Sequence, residues 1–170
     1  MITGGGRVKR LVFCLWILIS LSVAGSHAQD GKGGDVAYVP VTRFDPARDA
    51  AKDIREAVTE ARTSGRRVLL DVGGEWCIWC RRLDTLFTTH RELAEYRDAH
   101  YVVVKVNWSK ENKNEGVLSR YPVVSGYPHL FVLESDGSLV HSQETGALEK
   151  GKGHDPDKVM EFLKKWAAKG

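Results

Sequence analysis

The sequence predicts an α/β fold, a central mixed β-sheet with helices on both faces, from three observations. Helix-like and strand-like patterns alternate along the chain. The runs 67–72 and 101–106 are mostly apolar and rich in Val and Leu, as strands buried on both sides are. A turn signal, Asp136-Gly137, joins the apolar run Leu130–Leu133 to Leu139–Ser142 as a hairpin.

Each element has its own signal. Residues 1–28 are read as a secretory signal: Arg7, Lys9 and Arg10 precede an apolar run from Leu11 to Ala24, and Ser26-His27-Ala28 offers small residues for cleavage. The run is shorter than the roughly 20 apolar residues a membrane span needs, so a cleaved leader is expected rather than an anchor. Residues 29–44 are read as a flexible N-terminal segment, rich at first in Gly, Asp and Lys, with Tyr38–Phe44 as a short strand at most. The folded domain is expected over 45–170. Asp45-Pro46 marks a helix start, and Ala47, Ala51, Ile54, Val58 and Ala61 recur at helical spacing up to Gly65.

Strand 67–72 then runs into Gly73-Gly74 and the cysteines. Leu83, Leu86 and Phe87 continue one helical face, and Thr89 is placed as the cap of a further segment carrying Leu93 and Tyr96. Tyr101–Val106 is a second buried strand, and 111–121 a short helix ending before Pro122. The last helix starts at Asp155-Pro156 and buries Val159, Phe162, Leu163 and Trp166.

Charge and cysteine content narrow the function. The whole chain carries 25 basic and 22 acidic residues, but the leader holds three of the basic ones and no acidic one, which leaves 22 against 22. That balance gives no support to a nucleic-acid partner or an anionic membrane surface. Removing the leader also removes Cys14, so Cys77 and Cys80 are the remaining thiols. A bridge across so short a loop constrains the unfolded chain little, so the pair is poorly explained as a structural staple.

Placed between a strand and a helix, Cys-x-x-Cys sets one thiol at the helix N-terminus and the other one turn behind. Unpaired N–H groups and the helix dipole favour thiolate at Cys77, the species that attacks a disulfide. Cys80 can then resolve the mixed disulfide from close range. A carboxylate at Asp71 behind the pair can take the Cys80 proton. Trp76 and Trp79, flanking the cysteines, are read as an apolar rim for protein substrates.

Around these residues the sequence resembles the thioredoxin superfamily, from about residue 45 to the C-terminus. Trp76-Cys77-x-x-Cys80 matches its redox motif, Asp71 its buried strand aspartate, Lys105 the lysine near that aspartate, and Pro128 its cis-proline facing the disulfide. The chain is similar in particular to bacterial periplasmic members with Trp-Cys-x-x-Cys-Arg/Lys, such as the C-terminal domains of the DsbD family. The resemblance implies a thioredoxin fold, protein disulfide substrates, an upstream membrane or periplasmic electron donor, and backbone pairing of an incoming peptide beside Tyr127-Pro128. It implies no cofactor beyond the Cys77–Cys80 disulfide and no metal, and a periplasmic or secreted location without a membrane span after signal cleavage.

Two further readings stay open at this level. Zinc would need ligands beyond the two cysteines, and the histidines at 90, 100, 129, 141 and 154 lack zinc-finger spacing. Copper(I) accepts two thiolates, with His129 close to Pro128, so a metal-binding chaperone or a redox-inactive interaction module is the alternative to an enzyme. Ile78-Trp79 supplies no charge to stabilise a thiolate, which favours a reducing or isomerising role over an oxidising one; Arg81 and Arg82 act in the opposite direction.

Overall fold

The computed structural model describes residues 1–3 and 37–169. Residues Ala37–Gly170 form one compact unit, the domain described below. The expected leader, apart from residues 1–3, and the start of the flexible segment lie outside the described residues. Among the described residues no helix is long and apolar enough to cross a membrane.

The domain runs α1 (Ala50–Ser64), β1 (Arg67–Gly73), α2 (Ile78–Thr89), α3 (Arg91–His100), β2 (Tyr101–Asn107), α4 (Glu115–Leu118), β3 (His129–Leu133), β4 (Leu139–Glu144), a 3-10 turn (Thr145–Leu148), the short strands β5 (Glu149–Lys150) and β6 (Gly153–His154), and α5 (Pro156–Trp166). The main sheet has the order β2-β1-β3-β4, with β1 parallel to β2 and antiparallel to β3. Alternation along the strands sorts the core into two layers. Val68, Leu70 and Val72 pack with Ala57 and Ala61 of α1 on one face. Leu69, Leu130 and Val132 pack with α2, α3 and α5 on the other. Helices therefore cover both faces, as the alternating pattern predicts.

Four local expectations are corrected. Helix α1 begins after Asp49, whose side chain accepts the Lys52 N–H at 3.0 Å, not after Asp45. Asp45 instead accepts the Ala47 N–H at 2.9 Å and closes a separate turn, so each aspartate is used by the nearest free donor. The buried face shifts accordingly to Ala50, Asp53, Ala57 and Ala61, with Asp53 neutralised by Arg48 at 2.6 Å, and Ala47 is exposed. Thr89 is not a cap: its hydroxyl donates to the Thr85 carbonyl at 2.8 Å, and His90 occupies the cap position of α3 without a side-chain cap bond.

The helix expected over 111–121 shrinks to Glu115–Leu118. Asparagine side chains compete for the backbone there: Asn107 Nδ2 donates to the Asn112 carbonyl at 2.8 Å, and Asn114 Nδ2 to the Asn107 carbonyl at 2.7 Å. Finally, the segment before Asp45 is not a tail up to its last residue. Val41 forms a single parallel bridge to Val104, and Val41 and Phe44 are both buried.

Candidate functional site

Cys77 is the N-cap of α2, and its Sγ accepts the Cys80 N–H at 3.1 Å. The two cysteines form a disulfide, with Cα atoms 5.2 Å apart. Cys77 retains 4% exposure and Cys80 none, so both are buried and Cys77 is the less enclosed of the two. The expectation of a solvent-facing first thiol is not met in the oxidised protein, because Phe44, Trp79 and Tyr127 pack around the pair.

The aromatic rim comes from three separate segments. Trp76 is 53% exposed and its indole N–H donates to the Trp108 carbonyl at 2.8 Å. Its ring meets Trp108 and Tyr127 edge-on, at 5.9 and 5.8 Å, while Trp108 and Tyr127 stack at 4.8 Å. Gly74 makes this possible, since a β-carbon there would collide with the Trp76 indole and the Trp108 carbonyl. The Tyr127–Pro128 peptide bond is cis, Pro128 is buried, and its carbonyl accepts the Thr145 hydroxyl at 2.6 Å. Tyr127 packs against the cluster of Phe44, Cys77 and Cys80, and burial pushes its hydroxyl pKa up.

Trp79 also packs against the cluster of Phe44, Cys77 and Cys80, outside the stack of Trp108 and Tyr127. It is half-buried, with the Arg82 guanidinium 4.4 Å from its ring and His154 edge-on at 5.8 Å. Trp76 and Trp79, three positions apart in the motif, therefore make different contacts.

Behind the disulfide the site is polar, buried at Asp71 and open toward solvent at Asp84. Asp71, 5% exposed, sits on β1 beside Lys105 in register on β2. Lys105 Nζ donates to Asp71 Oδ2 at 3.1 Å and to Asp84 Oδ1 at 2.6 Å, while Asp71 Oδ1 has no partner among the described residues. Burial, the largest influence, raises the Asp71 pKa, against the pull of Lys105. Lys105 stays cationic: desolvation acts to discharge it, but Asp71 and Asp84 together outweigh that and hold its pKa above the ordinary value. Asp71 and Gly73 point to the same face of β1, and a β-carbon on Gly73 would come within 2.5 Å of Cys80 Sγ. This places the carboxylate on the side of the sheet that carries the resolving cysteine.

The structure thus gathers Cys77, Cys80, Trp76, Tyr127 and Pro128 at one end of the sheet with Asp71 and Lys105 behind them. It adds four residues that sequence reasoning missed: Phe44, Gly73, Asp84 and Trp108. Asp84 had a signal, because it lies four residues after Cys80 and shares its helix face. Phe44 and Trp108 had none, since long-range packing brings them in. His129 of the copper alternative bonds Ser142 Oγ at 2.8 Å through Nε2 and packs on Phe131. Among the described residues no three His, Cys, Asp or Glu side chains converge as a metal site.

Comparison with known proteins agrees with this geometry. The thiol:disulfide interchange protein DsbD of Pseudomonas fluorescens is 30% identical over 139 residues, 79% of this chain but 22% of that protein. The disulfide bond reductase DsbH of Chlamydia pneumoniae is 25% identical over 77 residues, 41% of this chain and 46% of that protein. The chain thus spans less than half the length of either. A disulphide isomerase from Xylella fastidiosa shares the fold, with a TM-score of 0.61 at 22% identity over 75% of this chain and 98% of its own. The reduced C-terminal domain of Neisseria meningitidis DsbD aligns with a TM-score of 0.50 at 25% identity, over 69% of this chain and 96% of its own. The Thioredoxin-like family profile matches residues 49–135, half of the sequence, and the chain belongs to that family.

Proposed function

We propose that this domain is an exported protein thiol-disulfide oxidoreductase that reduces or isomerises disulfides through Cys77 and Cys80. The observation that carries the reading is the asymmetric setting of the disulfide, with an aromatic rim outside Cys77 and a buried carboxyl behind Cys80. In the reduced protein the Cys77 thiolate attacks a substrate disulfide, forming a mixed disulfide and releasing one substrate thiolate. Cys80 then passes its proton to Asp71 and attacks Cys77 Sγ, which frees the second substrate thiolate and leaves the protein oxidised. Two electrons have passed to the substrate, and an upstream dithiol donor must return them.

A buried carboxyl with a raised pKa suits this step, being a stronger base than an exposed one. Trp76 and Tyr127 would seat the substrate, with backbone beside Pro128 pairing to the peptide. The reducing direction is supported by Ile78 and Trp79, which add no charge between the sulfurs. Export rests on the leader pattern of residues 1–28 and places the partners, protein disulfides and an electron donor, in the periplasm or outside the cell.

The test is a redox titration with thiol trapping, beside an insulin-reduction assay of wild type, Cys77→Ser and Cys80→Ser. The pair should cycle in glutathione buffers and both variants should lose catalysis. A pair that does not cycle, or a Cys77→Ser protein as active as wild type, rules the enzyme out.

A further inference from the structure

Phe44 precedes the stretch whose periodicity defines the domain, yet its side chain is 4% exposed and packs with Cys77 and Cys80. It lies between the cysteines and Lys105. A β-carbon on Gly73 would meet Phe44 Cζ at 3.2 Å as well as the Cys80 sulfur, so the ring lies against the same strand flank as the resolving cysteine. The Lys105 ammonium stands 4.1 Å from the ring centroid while it bonds Asp71 and Asp84.

The arm that carries Phe44 is fastened at two points. The Phe44 N–H donates to Glu75 Oε1 at 3.3 Å, on the loop leading to Cys77. Three residues earlier the Val41 carbonyl accepts the Lys105 N–H at 3.2 Å, on the strand that carries the lysine. An ammonium on a four-carbon stem has three protons and many rotamers. Two carboxylates take two of its directions, and an aromatic face on a third side removes most of the remaining freedom.

We propose that Phe44 is a positioning residue of the dithiol site, whose ring fixes the Lys105 ammonium against Asp71 and walls the Cys80 sulfur from water. Residues 41–44 then belong to the reacting machinery rather than to a linker. The groups that face Asp71 are Lys105 from β2, Asp84 from α2 and Arg97 from α3, and Glu75 anchors Phe44 from the cysteine loop. Among these, Lys105 makes the direct contact that favours ionised Asp71. Freeing the lysine while keeping the pocket apolar therefore makes Asp71 harder to ionise.

This inference deepens the thiol-exchange reading and rests on it, so its test is read on Asp71 itself and stays separate from turnover. The Asp71 carboxyl is titrated by carbon-13 NMR in the oxidised full chain. Phe44→Leu, which keeps apolar bulk without a π face, should raise the midpoint by about half to one pH unit. Replacing Phe44 by 3,5-difluorophenylalanine, which keeps the ring shape and weakens its negative face, should move it the same way by less. In a Lys105→Met background neither change should move the midpoint further. A midpoint unchanged by both substitutions, or a shift just as large without the lysine, overturns the proposal.

Discussion

The two sulfurs of one disulfide lie in opposite surroundings. Outside Cys77 are rings held by one another: Trp76 bonded to the Trp108 carbonyl, Trp108 stacked on Tyr127, and Ile78 exposed beside them. Behind Cys80 are Asp71, Lys105 and Asp84, with Phe44 and Gly73 pressed against the sulfur. The outer region is apolar yet partly open, which suits contact with another protein. The inner region is charged and buried at Asp71 while Asp84 reaches solvent, which suits a proton shift at the buried carboxyl, where electrostatic effects are strong. Recognition and proton chemistry are thus divided between the two ends of one bond.

That division can be broken at several points. The largest effect is expected from Cys77→Ser, which leaves no attacking sulfur and should reduce insulin turnover to the uncatalysed rate. Next is Asp71→Asn, which removes the proton acceptor and should slow release from the mixed disulfide by about 10²-fold in single-turnover kinetics.

The same substitution tests the electrostatics through stability. The Asp71 carboxyl titrates higher in the folded protein than its ordinary value of 3.8, because burial disfavours its charge. Its favourable contribution is complete below that ordinary value and is lost as pH rises through the folded one. Asp71→Asn should therefore raise Tm at neutral pH, with the gain shrinking on acidification. A Tm gain that is constant with pH would remove the buried-carboxyl account.

Gly73→Ala inserts a methyl group where Cys80 Sγ already sits, 2.5 Å from the new atom. Its expected cost is about 1–3 kcal/mol of stability in the oxidised protein, read by chemical denaturation. The smallest effect is predicted for Trp108→Ala. It removes a stacked neighbour and loosens the rim without touching the sulfurs, so KM for a protein disulfide should rise about two- to tenfold with kcat little changed. An equal fall in kcat would mean that the outer region also takes part in the chemistry.

How much of this was legible follows from which residues act locally. Cys77, Cys80 and Asp71 stand nine or fewer residues from one another, and one strand and one helix turn place them, so sequence spacing sufficed. The Asp136-Gly137 hairpin and the Asp155-Pro156 helix start were equally local. Phe44 reaches Cys80 only because Val41 bridges Val104 on a strand some sixty residues away, and no periodicity records that contact. Trp108 depends on parallel pairing of β2 with β1, which brings its N–H to the Gly73 carbonyl. The helix start at Asp45 failed for a different reason. Two aspartates four residues apart can each cap a turn, and Asp49 captured the helix because Ala50, Asp53 and Ala57 behind it could bury their side chains.

The account stands most directly on the identity of the attacking sulfur. Cys80→Ser is mixed with a disulfide-bonded peptide, quenched in acid and mapped by mass spectrometry. A mixed disulfide should accumulate on Cys77 while wild type turns over without one. A Cys77→Ser protein that captures the peptide through Cys80 as readily, or a Cys80→Ser protein that captures none, would contradict it.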